Sequence, residues 1–171
     1  ATLSAHLNLR GDGRNPSFCS GVADALGLKL PVIPGTYQRS GNTSLYWLGP
    51  NEWLVVDIGG DSEKLEAKLR KSLTGHIAVV DVSGGQTCIN LRGPGVATVL
   101  KKSSLYDFEH WDNAKAVSGR AVQTNFAKAS AIVSNNSDGS YNLVIRRSFA
   151  DYVAQWLLDA GEEFGCRIEA E

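Results

Sequence analysis

The chain has 171 residues, with 17 lysines and arginines against 18 aspartates and glutamates, so its formal net charge is -1 with the three histidines neutral. That balance excludes a strongly basic nucleic-acid binder and an acidic tail protein, and at 43% hydrophobic residues a chain of this length buries about 70% of the surface its unfolded form exposes, enough to fold without metal or disulfide. Charged residues make up 20%, below the ~25% of an average soluble domain, and so small a net charge leaves little like-charge repulsion between molecules, a tilt toward association.

Leu3, Ala5, Leu7 and Leu9 alternate with Ser4, His6 and Asn8, which predicts a first strand ended by Gly11-Asp12-Gly13. A helix follows, with Asn15 as N-cap, Pro16 at its first position, Phe18, Val22 and Leu26 on one face, and Gly27 as the left-handed C-cap. Leu30 to Gly35 holds two prolines and a glycine and reads as a connection. Leu45 to Leu48 and Trp53 to Ile58 are aromatic and β-branched runs joined as a hairpin through Gly49-Pro50-Asn51-Glu52, and Gly59-Gly60 breaks the second. Leu65, Leu69 and Leu73 mark one face of a charged helix that Asp61 or Ser62 caps and Gly75 stops.

The second half repeats this grammar. Ile77 to Val82 and Thr87 to Leu91 are predicted strands separated by Ser83-Gly84-Gly85, and Gly93-Pro94-Gly95 opens a short helix with Pro94 at its first position and Val96, Val99 and Leu100 inward. Leu105 to Ser118 is irregular and amphipathic; Ala121 to Val133 holds one or two strands, and Asn135 to Gly139 is a turn cluster before a strand at Tyr141 to Ile145. The last helix is expected to be capped by Ser148 and ended by Gly161, with Asp151 in its first turn and Phe149, Tyr152, Val153, Trp156, Leu157 and Ala160 as its buried stripe. This order is α+β with hairpins, not a doubly wound parallel sheet. Two β-α-β-β-α-β-like halves explain the repetition, in one domain, 1–171, with approximate subdomains 1–75 and 76–171.

Motifs for chemistry are sparse. Gly11-Asp12-Gly13 precedes a helix, but Pro16 stands where a dinucleotide fingerprint needs its third glycine, and Gly93-Pro94-Gly95 lacks the Gly-Lys-Ser/Thr ending of a phosphate loop. His6, His76 and His110 lie in different elements with no paired spacing for a metal, so no metal site is expected; His110, beside Trp111, suits a structural or interface role. No G-x-S-x-G is present, and Cys88 in an apolar strand behaves as a small hydrophobe. Asp57, Asp81 and Glu109 read as solvated strand or loop acids rather than a general acid–base pair. Arg146-Arg147, just before the last helix, is more informative: two guanidinium groups clamp a carboxylate or phosphate, or pair across an interface, and the interface reading is favoured. Trp47 and Trp53 flank the hairpin turn and Trp111 lies in the irregular stretch, so these three join Arg146 and Arg147 as candidate partner-interface residues.

Cys19, Cys88 and Cys166 are widely spaced with no C-x-x-C pair, which fits a reduced, cytoplasmic compartment. No apolar run approaches the ~20 residues that span a bilayer, and the N-terminus shows no signal-peptide core, so no membrane association is expected. The chain opens at Ala1 and contains no methionine, which reads as a processed or an internal start.

Four segments in order, Trp47-Leu48-Gly49-Pro50-Asn51-Glu52-Trp53-Leu54, Asp81-Val82-Ser83-Gly84-Gly85-Gln86-Thr87, Leu91-Arg92-Gly93-Pro94-Gly95, and Val144-Ile145-Arg146-Arg147-Ser148-Phe149-Ala150-Asp151-Tyr152, resemble the gamma subunit family of bacterial heterotetrameric sarcosine oxidase. The match runs from about Leu45 to Gly165. The resemblance implies a fold similar to the folate-binding domain of the glycine-cleavage aminomethyltransferase. It further implies a noncatalytic accessory subunit of an enzyme that oxidatively demethylates sarcosine to glycine, giving hydrogen peroxide and formaldehyde or methylenetetrahydrofolate. Its partners are then the alpha, beta and delta subunits, with FAD, FMN, NAD and tetrahydrofolate held by alpha and beta, zinc by delta, and no cofactor or catalytic group in this chain. Two departures stand out: the family usually has a longer N-terminal region, and a cysteine it often shows is unmatched around Ser103-Ser104-Leu105-Tyr106-Asp107. The alternative is a free-standing folate-binding protein or one-carbon transferase of the related fold.

Overall fold

A computed structural model describes residues 4–111 and 119–169, and the chain divides into two units, Ala1–Gly84 and Gly85–Glu171. The first unit runs β1 (Ser4–Arg10), α1 (Pro16–Leu26), β2 (Tyr37–Ser40), β3 (Thr43–Gly49), β4 (Glu52–Ile58), α2 (Ser62–Ser72) and β5 (Ala78–Asp81). These strands form one antiparallel sheet in the order β2-β3-β4-β1-β5, with Leu7 opposite Val55 on β4 and Asp81 on β5.

The ends of α1 follow from its sequence. Asn15 Oδ1 accepts from the Ser17 N–H at 2.9 Å, Pro16 occupies a position whose N–H would have no helical partner, and Gly27 turns left-handed to return its N–H to Ala23. Asp61 caps α2 in the same way, accepting from the Glu63 and Lys64 N–H groups at 3.0 and 3.1 Å, while Arg70 and Lys71 suit the negative end of the helix. Phe18, Val22, Leu65 and Leu69 of the two helices pack with Leu7, Leu9, Leu45, Trp53 and Val55 of the sheet in one core. A side chain at Gly21 would strike the Ser72 carbonyl oxygen, so only glycine lets α1 lie this close to the end of α2. Trp53-Leu54-Val55-Val56 is buried without alternation, because both faces of β4 are covered. His6 is buried for the same reason on β1.

The second unit runs β6 (Gln86–Leu91), α3 (Val96–Ser103), β7 (Ala121–Phe126), β8 (Ala129–Asn135), β9 (Tyr141–Arg146) and α4 (Ala150–Ala160). Its sheet is antiparallel in the order β6-β9-β8-β7. Val99, Leu100, Phe108, Trp111, Phe126, Leu143, Val153 and Leu157 belong to its core. The two units share a path of strand, helix, three-strand meander, helix, with the last meander strand pairing on the first strand, β4 on β1 and β9 on β6. The expected halves are present, each with a meander of three strands. β5 falls within the first unit because it pairs with β1.

Three local expectations are corrected. Pro94 lies in a turn before α3 rather than at its first helical position, since the Val96 N–H bonds the Gly93 carbonyl at 3.3 Å and Gly95 takes the N-cap position. Ser148 does not cap α4; it sits inside a 3-10 turn, Arg147–Phe149, and Phe149 precedes the helix with no side-chain cap bond. Phe149 is also 40% exposed and leaves the buried stripe, and Tyr152 and Trp156 are only partly buried. The helix is held by other means: Trp156 Nε1 donates to Ser103 Oγ at 3.0 Å, and Lys102 Nζ donates to the Ala160 carbonyl at 3.2 Å, pairs with Glu163 and lies over the Phe164 ring. Leu3 and the predicted irregular residues 112–118 lie outside the described residues. No helix of the described residues is long and apolar enough to cross a membrane.

Candidate functional site

His6, Asp81 and Ser83 meet where β5 leaves the first sheet, and they are the residue types of a nucleophile, its base and an orienting acid. Their bonds assign them other work. Ser83 Oγ accepts from the His6 backbone N–H at 2.9 Å and donates to Asp81 Oδ1, which also accepts from the Ser83 N–H at 2.8 Å. The His6 ring presents Nδ1 to the Ser4 carbonyl oxygen at 3.2 Å. Burial holds the imidazole below its ordinary value, opposed by the Ser4 carbonyl and the Asp81 charge, and hydrogen bonds from Ser83 hold Asp81 low. The set fastens the end of β5 to β1, with the Val82 N–H donating to the His6 carbonyl at 2.8 Å.

The remaining chemistry-bearing residues are dispersed. Burial pushes the Cys88 thiol up to about 11, which keeps it protonated near neutral pH and unreactive. Cys19 Sγ donates to the Gly13 carbonyl, and Cys166 is exposed. Asp57 accepts from Thr43 Oγ1 at 2.9 Å, and Glu109 approaches Lys101 at 3.9 Å. His76 is exposed, and the His110 side chain lies outside the described residues. Among the described residues no group of three or more His, Cys, Asp or Glu could hold a metal ion. On the second sheet a polar network joins Asn90, Asn136, Ser140 and Asn142, with Asn90 Nδ2 donating to Asn142 Oδ1 at 2.7 Å and Ser140 Oγ to Asp138 at 2.7 Å. It ties β6 and β9 to the turn that precedes β9.

The interface candidates separate sharply. Trp53 is fully buried, its Nε1 donating to the Pro31 carbonyl at 2.7 Å and its ring tilted against Phe18. Trp111 is buried edge-on to Phe108 and stacked on Tyr141. In the folded chain both are core residues, because each lies on the inward side of its segment. Trp47, opposite Trp53 across the β3–β4 pair, is half-buried. Arg146 ends β9 opposite Gln86, Arg147 opens the 3-10 turn, and both are exposed. The structure adds exposed apolar residues that sequence reading did not place at an interface: Val32 and Ile33, Leu105, and Phe149, which was expected in the buried stripe. The first pair carried a signal in the flanking Pro31 and Pro34, which deny it a central strand or helix in which to be buried.

The model of the sarcosine oxidase, gamma subunit family matches residues 10–163. Sarcosine oxidase subunit gamma of Corynebacterium sp. (strain U-96) is 30% identical over 149 residues, covering 84% of this chain and 68% of that protein. The Arthrobacter subunit gamma is 31% identical over 145 residues, covering 84% and 69%. Among solved structures, a chain of the heterotetrameric sarcosine oxidase from Corynebacterium sp. U-96 in complex with pyrrole 2-carboxylate superposes with a TM-score of 0.84 at 27% identity, over 99% of this chain and 85% of that one. The glycine cleavage system aminomethyltransferase T from Bartonella henselae superposes with a TM-score of 0.64 at 16% identity, over 92% of this chain and 44% of that one, a likeness of fold alone. The expected α+β architecture and its aminomethyltransferase-like character are therefore present, and the chain belongs to the sarcosine oxidase gamma subunit family.

Proposed function

We propose that this chain is a noncatalytic subunit that helps hold together a heterotetrameric sarcosine oxidase. One observation carries the reading: nearly the whole chain superposes on a chain of such a complex. The site chemistry supports it, since Ser83 and Asp81 are spent on fastening β5 and the Cys88 thiol is kept protonated. In this reading the flavins, NAD and tetrahydrofolate belong to the alpha and beta subunits and zinc to delta, the assembly works in the cytoplasm, and Arg146, Arg147 and Trp47 are the interface candidates that remain surface-accessible.

Co-expression with the alpha, beta and delta chains, followed by purification through a tag on this chain, tests the reading. The four chains are expected to purify together with sarcosine-dependent peroxide production, and the isolated chain to have none. Failure of the wild-type chain to associate overturns the reading. Calorimetric titration of the isolated chain with tetrahydrofolate is expected to show no micromolar binding; a micromolar isotherm would move the chain toward the folate-binding class.

A further inference from the structure

The two strand-to-helix junctions that correspond in the two units have opposite chemistry. In the first, β4 leads into α2 through Gly59-Gly60-Asp61, and the Asp61 carboxylate both caps the helix and pairs with Lys64 Nζ at 3.2 Å. In the second, β9 leads into α4 through Arg146-Arg147-Ser148-Phe149, all four exposed. Four cations of this unit have acidic partners, with Arg92 and Arg167 sharing Glu169, Lys101 approaching Glu109 and Lys102 pairing with Glu163, whereas the exposed Arg120 and Lys128 have no ion pair among the described residues. Among the described residues Arg146 and Arg147 have no ion pair, and Asp151, exposed in the first turn of α4, pairs with neither. The strand ends at Arg146 and the 3-10 turn begins at Arg147, so the alternation that sends successive strand side chains to opposite faces stops between them.

Polar groups around this junction are also left open from within. Gln86 Oε1, on the residue opposite Arg146, and the Tyr152 hydroxyl, in the first turn of α4, are buried side-chain atoms with no hydrogen-bond partner. An unpaired arginine pair beside an exposed aromatic ring has the composition that protein interfaces concentrate, and a guanidinium fork matches a carboxylate bidentately.

We infer that Arg146, Arg147 and the Phe149 ring form the seat for an acidic segment of a partner subunit, with carboxylates held by the two guanidinium groups and an apolar side chain resting on the ring. The inference rests on the reading of the chain as a subunit of the oxidase. In the assembled complex, R146E/R147E is expected to weaken association at least about tenfold, and R146K/R147K, which keeps the charge but loses the fork, to weaken it less. Wild-type association should fall as salt is raised, and that dependence should shrink in the reversed variant. Phenylglyoxal labelling read by peptide mass spectrometry gives a second measurement on the wild-type chain, with both arginines reactive when it is free and protected in the complex. If the reversed variant assembles as tightly as wild type, or both arginines label equally in the two states, the seat is wrong and the subunit reading stands. If the wild-type chain does not assemble, both fall. Should the reversed variant fail to fold, as judged by its melting curve, the labelling result decides.

Discussion

β1 lies inside its sheet between β4 and β5, whereas its counterpart β6 pairs with β9 alone among the described residues. The helices differ in a parallel way. In the first unit α1 and α2 are closed by residues adjacent in sequence, the Asn15 and Asp61 side chains and the backbone N–H of Gly27. In the second, α3 and α4 have no side-chain caps, and bonds distant in sequence hold them: Lys102 to the end of α4, Trp156 to Ser103, and the Phe164 ring against Gly95. One chain path is thus completed locally in one copy and by long-range contacts in the other. Backbone groups at helix ends need partners, but the path does not dictate where those partners come from.

Two of the close glycine approaches, Gly21 in the first unit and Gly95 in the second, give the largest separation between the units. A methyl group at Gly21 meets the Ser72 carbonyl, a backbone atom that cannot move without shifting the end of α2. At Gly95 the obstacle is the Phe164 ring, a side chain 46% exposed rather than a backbone atom. Gly21→Ala is therefore expected to cost about 1–3 kcal/mol in urea unfolding. Gly95→Ala should cost about 1 kcal/mol or less. Equal losses would mean that the second unit is pinned as rigidly as the first.

Features that depend on neighbours in sequence were legible, and those that depend on distant partners were not. The α1 caps could be read because Asn15, Pro16 and Gly27 act within a few residues of themselves. The membership of β5 could not, since Ala78 to Asp81 look alike whether they pair with β1 or with a later strand. Tyr37 to Ser40 gave no alternation to read, because only Tyr37 is buried there. The same limit governs the candidate site. Position beside a turn suggested exposure for Trp53, yet its side of β4 faces the helices, while Arg146 and Arg147, nominated with it, lie exposed where β9 gives way to the 3-10 turn.

Acid sensitivity should also distinguish the units. The third residue of each first strand is a partly or fully buried titratable group, His6 on β1 and Cys88 on β6. Cys88, pushed up to about 11, does not change charge between neutral and mildly acid pH. His6, held below 6.5 by burial, does. The unfolded chain takes up this proton first as pH falls, so the His6 contribution is complete above about 6.5 and is lost below it, toward the lowered folded value. Asp81 is held below 3.8 and adds its own loss only at more acid pH. Melting temperatures followed from about pH 7 to about pH 5 should decline less steeply in His6→Gln than in wild type. Parallel slopes would show that the imidazole is not the group responsible.

The smallest expected effects test the caps themselves. Asp61 makes two hydrogen bonds to the first turn of α2, and Asp61→Ala should cost about 1 kcal/mol. Ser148, which sequence pattern nominated for the same task in α4, is exposed within the 3-10 turn and makes no cap bond. Ser148→Ala should therefore change stability by less than about 0.5 kcal/mol. Matching losses in urea unfolding would place a working serine cap in the second unit and remove the contrast with the first. A measurable loss at Asp61 alone would show that the second unit starts its last helix without a side-chain cap.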